Sequence, residues 1–145
     1  MTLQSLIQRS RNAAHARSKV VAARGVIISE KALHRATAEY LTLALTAPDM
    51  FTTFPMGGGG KARGGQLKAS GAKAGLADIL ILKSGRAYWI ELKTKRGHLS
   101  EQQRLMAVDL RNAGCEWCVC RSVEEVEERL TEWGFSLRAH FRRAA

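Results

Sequence analysis

The residues of this 145-residue chain best suited to chemistry are Asp78, Glu91 and Lys93, carried by the stretch GLADILILKSGRAYWIELK over positions 75–93. Both runs are otherwise apolar. A strand destined only for a core has no use for an acid at one end, or for an acid and an ammonium at the other. Between the runs, Lys83-Ser84-Gly85-Arg86 is a turn signal, and a two-residue turn at Ser84-Gly85 predicts a β-hairpin. In a hairpin folded there, 83 faces 86 and 82 faces 87, so Asp78 faces Glu91. Directly opposed residues share a face with Cβ atoms about 4.5–5.5 Å apart. Lys93, two positions beyond Glu91, shares that face. Two carboxylates this close cannot both ionise cheaply without a cation. Lys93 can supply the charge as a structural triad. A bound Mg²⁺ can also supply it, being a hard ion held by one or two carboxylates and retaining waters that serve as nucleophile. The ExK triplet alone is common on solvated strands, so whatever flanks the hairpin has to decide.

Two helices are predicted to bring further residues to that face. Ser29 is a good N-cap for EKALHRATAEYLTLAL, which runs on towards Pro48 with Leu33, Tyr40, Leu41 and Ala44 as its apolar stripe. Glu30 lies near the stripe with His34 one turn later, whereas Glu39 is rotated to the opposite side. As a first-turn acid, Glu30 also complements the helix dipole. In the helix SEQQRLMAVDLRNAG, ending at Gly114, Gln103 falls with Ala107 and Leu110 towards the sheet while Gln102 points away. Gln103 also stands three residues after Ser100, as in a capping box, and the two roles can coexist.

The remaining segments complete an alternating α/β order. FTTFP reads as a short strand, and MGGGGKARGGQLKASGAKAG as a basic loop. Its GGGGK imitates a phosphate-binding P-loop but fails the pattern, with Pro55 at the first glycine position and Ala62 in place of the hydroxyl. CEWCVCR is a strand, followed by the helix VEEVEERLTEW with Ser122 and Glu125 as a capping box and Val123, Val126, Leu130 and Trp133 on one face. Cys115, Cys118 and Cys120 have no second ligand pair elsewhere, so core packing is expected and no structural zinc.

A formal charge of +10 favours a polyanionic partner, nucleic acid ahead of an anionic membrane face. No apolar run approaches the ~20 residues needed to span a bilayer, and no secretory segment opens the chain, so a soluble, intracellular protein is expected. Residues 1–25 form a basic arm that can touch phosphate; the acid-free N-terminal stretch 1–29 also resembles an organellar presequence, and import is kept open. Residues 26–134 form one domain, and 135–145 a basic tail.

With these residues in place, the chain resembles the VRR-NUC (virus-type replication-repair nuclease) branch of the PD-(D/E)XK nuclease superfamily. The likeness covers roughly residues 26–133: SEKALH, FPMGG, GQLKASGAKAGLAD, IELK and GHLSEQQ, with Glu30, Asp78, Glu91-Leu92-Lys93 and Gln103 in the family's order. It implies a restriction-endonuclease-like αβββαβ core, a mixed sheet flanked by helices. It implies Mg²⁺, with Mn²⁺ able to substitute, held by Asp78, Glu91 and the Leu92 main-chain carbonyl, with Glu30 assisting directly or through water. Lys93 would position or help deprotonate the attacking water and offset phosphorane charge; Gln103 would orient the site and the scissile phosphate. Hydrolysis of DNA would leave a 5′-phosphate. Lys61, Arg63, Lys68, Lys73, Lys95 and Arg96 are the expected DNA contacts. Compact stand-alone members look like phage or prophage enzymes, some acting on branched DNA such as Holliday junctions as homodimers, which implies cytoplasmic action. Ala77 departs from the family, which has proline there; proline stiffens the approach to the acid and is no ligand. The competing reading is a nucleic-acid-binding module of the same fold without turnover.

Overall fold

The computed structural model describes residues 28–54 and 60–141. The elements in order are α1 (Glu30–Ala44), β1 (Met50–Thr53), α2 (Gly60–Ala69), β2 (Ile79–Lys83), β3 (Arg86–Leu92), α3 (Glu101–Asn112), β4 (Glu116–Cys120) and α4 (Val123–Glu132). Most boundaries have a local cause. Ser29 accepts from the Ala32 N–H at 3.1 Å and starts α1. Ser100 and Gln103 cap α3 reciprocally, at 3.1 Å and 2.9 Å. Ser84 and Gly85 both take positive φ, 49° and 76°, as a two-residue hairpin turn requires.

The four strands form one mixed sheet in the order β1-β2-β3-β4. β1, β2 and β3 are antiparallel, while β4 runs parallel to β3, reached through the crossover helix α3. The hairpin register pairs Lys83 with Arg86 and Ile79 with Ile90, as the turn predicts. One face of the sheet carries Ile79, Ile81, Tyr88, Ile90, Leu92, Cys118 and Cys120, packed against Leu33, Tyr40, Leu41 and Ala44 of α1 and Val123, Val126 and Leu130 of α4. The other carries Trp89 and Trp117 beneath Ala107 and Leu110 of α3. The chain is therefore an α/β protein with helices on both sides of a mixed sheet. The three cysteines are free thiols, Cys118 and Cys120 buried. Among the described residues no helix is long and apolar enough to cross a membrane.

Three expectations change. The stretch expected as a loop carries α2 over Gly60–Ala69, because Lys, Ala, Arg, Gln and Leu between its glycines are strong helix formers. At α4, Ser122 accepts from the Glu125 N–H at 3.2 Å, but the Glu125 carboxylate returns to the Arg121 N–H at 2.6 Å instead of to Ser122. Residues 135–141, assigned above to the tail, are docked. Phe135 is buried and meets the Tyr88 ring edge-on at 5.0 Å, Leu137, Ala139 and Phe141 pack on the core, and the Arg138 N–H donates to the Ala44 carbonyl at 2.8 Å. Residues 1–27, 55–59 and 142–145, which include the N-terminal arm and most of FPMGG, lie outside the described residues.

Candidate functional site

Glu91 is the centre of the site. Strand alternation places Trp89 and Glu91 on the side of β3 that faces away from the main core. The Glu91 side chain is 1% exposed, and Lys93 Nζ lies 2.7 Å from its Oε1. The Gln103 amide donates to the same Oε1 at 2.6 Å. Lys93 Nζ also pairs with Glu30 Oε1 at 3.2 Å, drawing the first residue of α1 to the end of the hairpin. Asp78 Oδ2 accepts from the Leu92 N–H at 2.7 Å, so the chain at Glu91-Leu92-Lys93 is tied to the acid across the hairpin. The helices α1 and α3 both direct their N-termini here, where a partial positive charge favours anions.

Gln103 serves two ends of one side chain. Its Oε1 accepts from the Ser100 N–H and its Nε2 donates to Glu91, so the helix cap also fixes the amide that holds the carboxylate. Gly75 makes this fit possible. It takes φ +77°, and a Cβ there would come closer than 3.0 Å to the backbone of Gln102 and Gln103.

Burial governs the electrostatics. It pushes Glu91 up to about 7, with Asp78 adding to the rise and Lys93 opposing it. Asp78 is also raised by burial, against the Leu92 N–H and the charges of His34 and Lys93. Lys93 is raised as well: burial opposes its charge, but the hydrogen bonds and charges of Glu91 and Glu30 outweigh it. Among the described residues five buried side-chain polar atoms have no protein partner, His34 Nε2, Thr37 Oγ1, Trp89 Nε1, Trp117 Nε1 and Glu91 Oε2, and the last is the one carboxylate oxygen of the set. Such an oxygen is costly unless a donor or cation completes it. Together with Asp78 and Glu30, it offers hard oxygen to a divalent ion. Among the described residues no group of three Asp, Glu, His or Cys side chains is assembled around a common metal position. Any ion would therefore draw on main-chain carbonyl and water as well.

Beside these groups lies a cleft of about 310 Å³, lined by the polar residues Glu30, Asp78, Glu91, Ser100, Gln102 and Gln103 together with Phe54, Gly75, Leu76 and Ala77. Lys93 backs the cleft through its carboxylate partners. Five expected residues, Glu30, Asp78, Glu91, Lys93 and Gln103, are thus brought together around one recess. Of the expected DNA contacts, Lys95 and Arg96 are exposed just after Lys93, and Lys68 and Lys73 are exposed at and beyond the end of α2. The side chains of Lys61 and Arg63 lie outside the described residues. Phe54 and Gly75 were not anticipated. The signal for Phe54 is its place at the end of the strand paired with β2, where its N–H bonds the Asp78 carbonyl at 2.9 Å.

Comparison with protein-family models, curated proteins and solved structures gives no match for this chain.

Proposed function

We propose that this chain is a divalent-metal-dependent deoxyribonuclease of the PD-(D/E)XK type, VRR-NUC branch, and an endonuclease that prefers branched DNA. One observation carries the reading. A fully buried glutamate is held through one oxygen by a lysine and a glutamine and left with its other oxygen unpartnered, beside a second carboxylate in the same cleft wall. A buried carboxylate oxygen left without a donor beside a cleft is costly unless something bound there completes it, which supports the reading.

Asp78, Glu91 Oε2 and the Leu92 carbonyl, with Glu30 directly or through water, would hold Mg²⁺ or Mn²⁺, whose Lewis acidity polarises a phosphate oxygen and acidifies a bound water. The protein's own residues do the rest. Lys93 keeps its proton, since its pKa is raised between Glu91 and Glu30. Its ammonium would position the attacking water and offset the charge that grows on the phosphoryl oxygens. Gln103 and Lys93 hold Glu91 in one orientation, so no reorganisation is required during the reaction. The N-termini of α1 and α3 add positive potential for the phosphate. Attack by water with departure of the 3′ oxygen leaves a 5′-phosphate. The charge of +10 and the exposed Lys95 and Arg96 attract the DNA backbone.

The test is a set of end-labelled linear, flapped and four-way DNAs incubated with Mg²⁺, Mn²⁺ or EDTA. Cleavage that needs the ion and is lost in Asp78→Ala, Glu91→Ala and Lys93→Ala, with binding retained, is expected. Salt-sensitive binding with no cleavage under any ion would replace the nuclease by a binding module.

A further inference from the structure

The lining of the cleft is part polar and part apolar. Beside Asp78, Glu91 and Gln103 it is lined by Phe54, Leu76 and Ala77, with Phe54 next to Asp78 on the adjoining strand. The Phe54 ring is only half-buried, and it stacks on Trp89 with centroids 5.7 Å apart and planes 21° from parallel. Trp89 is buried two positions before Glu91, so about 7 Å of strand separates the support of the Phe54 ring from the carboxylate. The Phe54 N–H also bonds the Asp78 carbonyl at 2.9 Å. Ring and acid are therefore fixed relative to one another by the same pair of strands, within one cleft. At about 310 Å³ the cleft is at the small end of ligand sites, the size class of a single nucleotide.

We infer that Phe54 and Leu76 form a subsite for an unpaired nucleobase, stacked on the Phe54 ring while its phosphate lies at the Asp78–Glu91 end. The inference rests on the proposed reading of the polar lining as a phosphodiester site, and it specifies the substrate class. The DNA taken must have a nucleotide already out of the duplex, at a flap, a branch point or a single-stranded arm, because drawing a paired base into the cleft costs its stacking and pairing. The sugar-phosphate chain is attracted by the basic surface, while the base contributes through the ring, as in single-strand-binding grooves.

The experiment measures binding in EDTA, so that no cleavage intervenes. Single-stranded and blunt duplex oligonucleotides, the former carrying 2-aminopurine, are titrated with native protein and with Phe54→Ala, Phe54→Leu and Phe54→Tyr. Because Phe54 packs on Trp89, the leucine variant preserves apolar volume and removes only the aromatic face; circular dichroism verifies folding. Expected are quenching of 2-aminopurine by native protein, about tenfold weaker single-strand binding for the alanine and leucine variants, unchanged duplex binding, and near-native behaviour of the tyrosine variant. Native single-strand affinity or quenching in the leucine variant, or an equal loss for single strand and duplex, overturns the subsite. Phe54-dependent quenching by a protein that cuts nothing in Mg²⁺ or Mn²⁺ supports the subsite and removes the nuclease reading. Ion-dependent cleavage combined with quenching indifferent to Phe54 removes the subsite alone.

Discussion

Two glutamates, each at the centre of a polar cluster, have opposite fates in this molecule. Glu127 on α4 is 17% exposed and uses both oxygens: Oε2 accepts from the Tyr40 hydroxyl at 3.1 Å and from the Phe141 N–H, and Oε1 meets His140 Nδ1 at 3.1 Å. Burial and Glu127 together raise Tyr40, which keeps the hydroxyl a donor. The result is a latch that fixes residues 139–141 to α1 and α4. Glu91 is 1% exposed, carries two partners on Oε1 and none on Oε2. The difference separates a carboxylate whose hydrogen-bonding capacity is spent within the fold from one that keeps an unpartnered oxygen beside a cleft.

The sharpest way to break this contrast is to replace each glutamate in turn. Glu91→Ala is expected to lower metal-dependent DNA cleavage by about 10³-fold or more, as loss of a central catalytic group does, whereas Glu127→Ala leaves the cleavage rate per folded molecule unchanged. Gel-resolved single-turnover rates decide it, and a comparable loss in both variants would erase the distinction.

Stability against pH comes next. Burial raises Glu91 from the ordinary 4.5 to about 7, so the folded chain holds that proton more tightly than the unfolded one. Stability linked to it is complete below pH 4.5 and is lost as pH rises through 7, by about 3 kcal/mol in the absence of divalent ions. Denaturant melts between pH 4 and 8.5 should show the decline, Glu91→Gln should flatten it, and Mg²⁺ should restore stability above pH 7. A decline unaltered in Glu91→Gln would place its origin elsewhere.

For the satisfied cluster the expected effects are smaller and purely structural. Glu127→Ala removes three partners at once and should cost about 2 kcal/mol by urea denaturation, together with faster amide exchange at Phe141. Tyr40→Phe deletes a single donor and should cost about 1 kcal/mol, with no effect on cleavage. A loss in Tyr40→Phe as large as in Glu127→Ala would mean that the tyrosine, not the glutamate, organises the latch.

Much of the site was legible because a hairpin has a rigid rule. Once Ser84-Gly85 is taken as a two-residue turn, constant-sum pairing opposes Asp78 to Glu91 and alternation adds Lys93, and the observed register agrees. Gln103 was legible twice over, by helical spacing and by its distance from Ser100. Phe54 was not, since its value depends on the Trp89 ring 35 positions later in the chain. Gly75 reads as one more glycine until α3 is set against it. The C-terminal segment reads as a basic tail because its attachment is made by Glu127 and by the Ala44 and Leu45 carbonyls, through contacts that no local pattern announces.

Turn chemistry and the periods of 2 and 3.6 act over a few residues, so the strands, the hairpin register, the N-cap serines and thus the meeting of Asp78, Glu91 and Lys93 follow from local sequence. Which carboxylate oxygen is left unsatisfied, what else lines the cleft and how residues 135–141 are held emerge only when the chain is folded. Burial, aromatic stacking and hydrogen-bond satisfaction depend on which distant segments come to share a volume.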